Sequence, residues 1–254
     1  KFDNATYSGF LKATQNFGQS TFYTVQVNYF REDLESGDGV YFDKLLQYGD
    51  TLYNPYLTSQ GTNPGMLYSA VCPPGHVLDI YTKSRSEYFG FNGDLTTQQG
   101  NHLIKLGGEY KYNTIRRFTV NPMGLVLSTA DTSVDALWKR YRSNNVQYYG
   151  YTYDGKSLND EESFFGADGN MVPSNDKKEA PKHPVYGAFY IQDKIEYSDL
   201  VLNLGARLDY FNANEKVFKD PYNPFGAGST IFDASDLEDS KATITISPRF
   251  GFSF

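Results

Sequence analysis

The chain has 254 residues and a formal net charge of −7, with 22 Tyr and 19 Phe against a single Trp. No basic stripe is present, which argues against nucleic acid as a partner; the lone Cys72 rules out an internal disulfide or a cysteine-built metal site. No run of about 18 apolar residues occurs, so no transmembrane helix is expected, although a strand-built membrane protein stays open because half of each barrel strand faces water.

About seven long strands are expected, each with one oily and one wet face, because successive side chains of a strand point to opposite sides. The first, about residues 5–16, sets Tyr7, Gly9, Leu11 and Ala13 against Ser8, Lys12 and Thr14. A tight turn at Phe17-Gly18-Gln19-Ser20 leads to the second, about 21–31, with Tyr23, Val25, Val27 and Tyr29 against Thr24, Gln26 and Asn28. A long loop, about 32–84, follows. It holds Tyr41, Leu45, Leu46 and Tyr48 at a spacing that suits one or two helical turns. The third strand, about 85–96, carries Phe89, Phe91 and Leu95 against Asn92 and Asp94. After a turn over 97–101 the fourth, about 102–113, carries Ile104, Leu106, Gly108, Tyr110 and Tyr112 against Lys105, Glu109 and Lys111.

The longest loop, about 114–184, contains Val134, Leu137, Trp138 and Tyr141 at helical spacing, with Thr132 or Ser133 as cap. The plain reading is a short helix that buries this stripe in the loop's own core. The fifth strand, about 185–197, turns at Ser198-Asp199 into the sixth, about 200–211. A loop of about 212–242 leads to the seventh, about 243–254. In the sixth, Leu202, Leu204, Ala206, Leu208 and Tyr210 oppose Asn203, Gly205, Arg207 and Asp209. In the seventh, Ile244, Ile246, Phe250, Phe252 and Phe254 oppose Thr245, Ser247, Arg249 and Ser253. Asp193 shares the oily parity of the fifth strand. Either it lies near an interface, the preferred reading because Tyr197 and the turn follow at once, or a bulge shifts the register.

A strand of about twelve residues spans about 40 Å, or about 28 Å when tilted by about 45°, the thickness of a bilayer core. Short turns alternating with long loops are the pattern of bacterial outer-membrane barrels, with turns in the periplasm and loops outside the cell. The expected fold is therefore all-β: one domain over residues 1–254, an antiparallel transmembrane β-barrel segment. Seven is an odd count, and an open sheet in lipid leaves backbone groups unpaired, so a fragment of a larger barrel is expected. The rival is a complete eight-strand barrel with one strand hidden in a loop and Phe254 as an aromatic C-terminus. The chain begins with Lys1 rather than Met and opens on no signal peptide, so it is expected to be processed or part of something longer.

The segment Tyr186-Gly187-Ala188-Phe189-Tyr190-Ile191-Gln192-Asp193-Lys194, then Gly205-Ala206-Arg207-Leu208-Asp209-Tyr210-Phe211, then Ser247-Pro248-Arg249 resembles the barrel of TonB-dependent outer-membrane receptors. The closest likeness is to the type carrying a carboxypeptidase-regulatory-like domain before the plug. The ordered set is specific, each piece alone is weak, and together they cover about a quarter of the chain. The resemblance implies a barrel of twenty-two strands in the outer membrane of a Gram-negative bacterium, filled by a plug and importing a scarce nutrient such as a siderophore, cofactor, glycan or peptide. Implied partners are outer-membrane lipid and lipopolysaccharide, a plug and an energy-coupling protein through regions outside this chain, and a surface lipoprotein or other subunit. Neither a plug nor a TonB-box segment is visible in the sequence.

Nothing points to an enzyme or a cofactor. His76, His102 and His183 lack metal-ligand spacing, and no nucleophile elbow or phosphate-cradling loop occurs. Asp160, Glu161, Glu162 and Asp168, and Asp233, Asp236, Glu238 and Asp239, are read as solvated acidic loops, with Ca²⁺ binding as the sharper alternative. The functional expectation rests on the wet parity: Lys12, Gln26, Asn28, Asn92, Asp94, Lys105, Glu109, Lys111, Gln192, Lys194, Glu196, Arg207, Asp209 and Arg249 should face the lumen and contact a plug or a substrate path. The competing functions are an ungated porin and a secreted β-rich binding protein.

Overall fold

The computed structural model describes residues 1–44, 80–120, 146–152, 155–159, 179–225 and 233–254. They form one antiparallel sheet and a small hairpin. The sheet contains β1 (Phe2–Phe17), β2 (Thr21–Ser36), β3 (Tyr81–Gln99), β4 (His102–Val120), β5 (Val146–Tyr149), β6 (Val185–Tyr197), β7 (Leu200–Asn212) and β10 (Thr243–Ser253). Its order is β1-β2-β3-β4-β6-β7-β10, and β5 pairs with β4 beyond the end of β6. The hairpin pairs β8 (Lys216–Phe218) with β9 (Leu237–Asp239). Gly18, Gly100 and Ser198 supply the positive φ of the three short turns.

Opposed residues of neighbouring strands share a face, so the register sorts every side chain. One face carries Leu11, Val27, Phe91, Tyr110, Gly187, Tyr210 and Ile244 in a single row. The next row is Ala13, Val25, Gly93, Gly108, Phe189, Leu208 and Ile246. Six such rows run from Tyr29-Phe89-Tyr112-Val185 at the loop side to His102-Ile195-Leu202-Phe252 at the turn side. Large apolar side chains on this face are open to solvent: Phe91 is 45% exposed, Phe189 53%, Ile246 68% and Phe250 71%. Among the described residues the buried hydrophobic ones are few: Tyr81, Phe118, Val120, Tyr151 and Ala188.

The sheet is open. Among the described residues β1 pairs only with β2, and β10 only with β7. Both run from the loop side to the turn side, so joining them directly would make a parallel pair. The eight-strand closed barrel is not formed among the described residues. The eighth strand, β5, is four residues long and prolongs the pairing of β4 without widening the sheet.

Five expected boundaries move by three residues or more, among them the start of β1, at Phe2, and the end of β3, which runs on to Gln99 through residues expected in a turn. β2 continues to Ser36, β3 begins at Tyr81 and β4 continues to Val120, so the first two long loops are shorter than the alternation of oily residues indicated. Between β2 and β3 the extension sets opposite charges across from each other, Arg31 with Glu87, Asp33 with Arg85 and Glu35 with Lys83, and between β3 and β4 it ends on the buried pair of Tyr81 and Val120. The third loop contains the β8–β9 hairpin. The pairing of β6 is unbroken on both sides, so no bulge moves Asp193 off the oily face. The helical patterns at Leu45–Tyr48 and Val134–Tyr141 lie outside the described residues.

Candidate functional site

All the residues expected on the wet face lie on the face opposite the apolar rows. Lys12, Gln26, Asn92, Glu109 and Asp209 share one row, with Ala188 between Glu109 and Asp209. Asn28 and Lys111 share the row above with Tyr186. Asp94, Gly107, Tyr190 and Arg207 form the row below. Lys105, Gln192, Gly205 and Arg249 come next, then Lys194 with Asn203, and Glu196 last.

The centre is a charged network around Arg207. Its Nε donates to Asp209 Oδ1 at 2.8 Å, and its Nη2 donates to Glu109 Oε1 at 2.6 Å and to Tyr186 Oη at 2.7 Å. Tyr186 Oη donates in turn to Asp209 at 2.9 Å. The short side chain of Ala188, in the row between the two carboxylates, leaves room for both to converge on one guanidinium. Such charge-assisted bonds are the strong ones.

A second link crosses the sheet where β4 carries no side chain. Tyr190 Oη donates to Asp94, one strand beyond its neighbour, over Gly107. A Cβ at Gly107 would stand 2.5 Å from Asp94 Oδ1 and 2.7 Å from Tyr190 Cζ. Elsewhere Gln26 donates to Asn28, and Asn28 to Asn92 Oδ1 at 2.7 Å. Lys194 pairs with Glu196 at 2.5 Å. Lys105 lies over the Tyr190 ring at 5.6 Å, and Lys111 over the rings of Tyr88 and Tyr186, each at 5.7 Å.

Thus Glu109, Arg207 and Asp209 are joined, as are Gln26, Asn28 and Asn92. Lys12, Gln192 and Arg249 stand apart, with no side-chain hydrogen bond or ion pair among the described residues. Three tyrosines that charge and amide chemistry alone does not single out, Tyr88, Tyr186 and Tyr190, also lie on this face. Tyr88 shares parity with Asn92 and Asp94 on β3, and Tyr186 and Tyr190 with Gln192 and Lys194 on β6, which is the signal the sequence carries.

Above the apolar rows the same face is covered. The Tyr81, Phe118 and Tyr151 rings pack edge to face at 6.2 and 6.4 Å, and Phe42 meets Tyr81 at 5.9 Å. Buried Arg116 clamps the 150–159 segment, donating to the Gly150 carbonyl at 2.8 Å, the Leu158 carbonyl at 2.5 Å and Asn159 Oδ1 at 2.5 Å. Gly150 adopts φ 69°, and a Cβ there would stand 2.6 Å from Arg116 Cγ. Burial lowers the guanidinium of Arg116 from its usual range. Burial, with Glu35 as acceptor, raises the Tyr81 hydroxyl. For Asp33 burial alone would raise the carboxyl, but hydrogen bonds from Arg31 and Arg85 hold it below the ordinary carboxylate range.

The turn-side Asp193 hydrogen-bonds His102 Nδ1 at 2.8 Å, which gives this carboxylate a polar partner on the oily face. His183 stacks on Tyr112 with ring centroids 5.1 Å apart. In the described acidic loop, Asp233 caps the turn of 3-10 helix Ala234–Asp236, Glu238 pairs with Lys241 at 3.0 Å and Asp239 with Lys216 at 2.6 Å. Among the described residues no group of three or more His, Cys, Asp or Glu is arranged to hold a metal ion. Cys72, His76, Asp160, Glu161, Glu162 and Asp168 lie outside them.

No protein-family model matches the chain, and no curated protein matches it.

Proposed function

We propose that the chain is a section of the wall of a transmembrane β-barrel in a bacterial outer membrane, of the TonB-dependent receptor kind, which admits a scarce nutrient through a plugged lumen. The apolar face contacts outer-membrane lipid, with lipopolysaccharide in the outer leaflet. The polar face contacts a plug, and an energy-coupling protein acts through that plug. The long loops face outward, where a surface lipoprotein or other subunit meets them. The lumen wall carries no catalytic role.

One observation carries the membrane part of this reading: six consecutive rows of one face are predominantly apolar, half-exposed to exposed and in register across the sheet, with Asp193 the charged member near the turn end. Soluble monomers rarely expose a contiguous apolar patch larger than a few hundred Å². Ten residues of rise separate the first row from the sixth, about 34 Å along a strand and about 26 Å at a tilt of about 40°, close to the apolar band of outer-membrane barrels. The two edges support a larger barrel, since β1 and β10 run the same way and antiparallel closure requires further strands between them. The receptor kind rests on the resemblance of β6, β7 and β10.

The test uses the full-length protein carrying Cys72→Ser and a single fluorophore-labelled cysteine at Phe91 or at Asn92, neighbours on opposite faces. In vesicles containing brominated lipid, the label at 91 should be quenched and the label at 92 should not. Equal quenching at both sites overturns the membrane reading. In planar bilayers the intact protein should show little spontaneous conductance; steady open channels would make it a porin.

A further inference from the structure

The polar face carries one place where donors converge without an acceptor. A hollow of about 210 Å³ lies over Gly205 and Gly251, walled by Tyr190, Gln192, Asn203, Arg207 and Arg249. It exists because two adjacent strands lack side chains there. At Gly205 a Cβ would stand 2.9 Å from the Ile191 carbonyl oxygen, so the backbone itself forbids filling it from below. Around the rim, Arg249, Gln192 and Asn203 make no side-chain hydrogen bond or ion pair among the described residues. The charged groups at the centre of the face, by contrast, are matched. Arg207 is satisfied by Glu109, Asp209 and Tyr186, Asp94 by Tyr190, and Lys194 by Glu196.

We propose that this hollow receives a carboxylate side chain, Asp or Glu, from a polypeptide segment that lies against the polar face. The proposal rests on the reading of that face as a plugged lumen, and it names one contact of the plug. A carboxylate accepts hydrogen bonds only, through two oxygens, and the rim offers donors: the guanidinium fork of Arg249 and the amides of Gln192 and Asn203. Lys105, in the same row, adds a second positive charge across Gln192 and Gly205. A neutral or cationic group would offer the Arg249 guanidinium no counter-charge. The volume suits a single side chain rather than a nutrient-sized ligand.

The test is zero-length coupling in outer membranes containing the full-length protein with Arg249→Lys. A water-soluble carbodiimide joins an amine to a carboxylate at ion-pair distance with loss of water, and peptide mass spectrometry maps the amide. The expected product links position 249 to an Asp or Glu outside residues 1–254, with a yield at least about fivefold lower in 1 M NaCl, where the ion pair is screened. No amide from position 249, amides confined to Asp209 or Glu196 of this sheet, or a yield indifferent to salt overturns the proposal. A label at Phe250, on the neighbouring position of the opposite face, separates the two failures. If brominated lipid quenches it while no coupling occurs, only the carboxylate contact falls. If it is not quenched, the membrane reading falls with it.

Discussion

Leu208→Arg measures directly which solvent touches the apolar face. Leu208 lies in the third of the six apolar rows, between Phe189 and Ile246, near the middle of the band. It is 38% exposed, so in water an arginine there finds solvent at once and the change stays within about 0.5 kcal/mol, as for most surface substitutions. In lipid the same guanidinium sits near the bilayer midplane and costs about 2–4 kcal/mol. Leu204→Arg, two rows nearer the turns, should cost less, and Leu202→Arg in the last row about 0–1 kcal/mol. Thr245→Arg, on the polar face opposite Asp209, is the control and should be tolerated. The assay is urea unfolding of the full-length protein from lipid vesicles. A cost that falls steadily from Leu208 to Leu204 to Leu202, with Thr245 near zero, is the expected outcome. Equal costs along the series, or a Thr245 cost equal to that of Leu208, would refute the facing.

Three further outcomes follow from the local geometry. Arg116→Met removes the donor to the Leu158 carbonyl and to Asn159, while the Gly150 carbonyl keeps the Leu158 amide, at about 1–3 kcal/mol for each buried group left unpaired; hydrogen exchange at Gly150 and Leu158 should rise while the six apolar rows stay protected. The Asp33 carboxyl is held below its usual value, so its contribution is full above the unfolded carboxylate range and is lost as pH falls through the folded one. Protease cleavage at the loop side should therefore increase in acid, and Asp33→Asn should remove that acid-dependent step. His102→Phe leaves Asp193 without its partner on the oily face and should weaken insertion into vesicles, whereas the double change with Asp193→Leu should restore it; a double variant no better than the single one would contradict the pairing.

The long strands and their faces were legible because alternation is a one-dimensional signal, and Leu202–Tyr210 or Ile104–Tyr112 state it without help from the rest of the chain. Strand ends were less legible. Residues 32–36, 81–84 and 114–120 alternate in charge or mix polar with apolar types, and they read as loop until Asp33 is seen opposite Arg85 and Glu35 opposite Lys83. Those pairs join residues about fifty positions apart, and no local pattern announces them. The polar network was half visible. Parity placed Glu109, Arg207 and Asp209 on one face, but their convergence depends on Ala188 and on the lateral register of β4, β6 and β7. Gly107 gave no hint that its missing side chain is the route from Tyr190 to Asp94.

The height at which one face changes character is the strongest physical constraint on what surrounds this sheet. On β2, β3 and β4 the same parity that carries Tyr29, Phe89 and Tyr112 carries Arg31, Glu87 and Thr114 one row higher, then Asp33, Arg85 and Arg116. The switch falls at one level on three strands drawn from distant parts of the chain. The opposite face has no such level: it carries Lys111, Glu109 and Lys105 below it and Ser86, Glu32 and Arg117 above it. A sheet with water on both sides has no reason to keep charge out of the middle of one face, with Asp193 near its turn end and Arg31, Glu87, Asp33 and Arg85 beyond its loop end. A flat boundary between hydrocarbon and water, met by that face alone, supplies one, because a charge below the line costs kilocalories and a charge above it does not. The reasoning has a sharp consequence at neighbouring positions of one parity. Tyr29→Lys, just below the line, should weaken folding into vesicles by about 1 kcal/mol or less, Val27→Lys by more and Val25→Lys by most, while a hydrophobic change at Arg31 should leave insertion intact; the same ranking read in detergent-free water would deny that lipid sets the boundary.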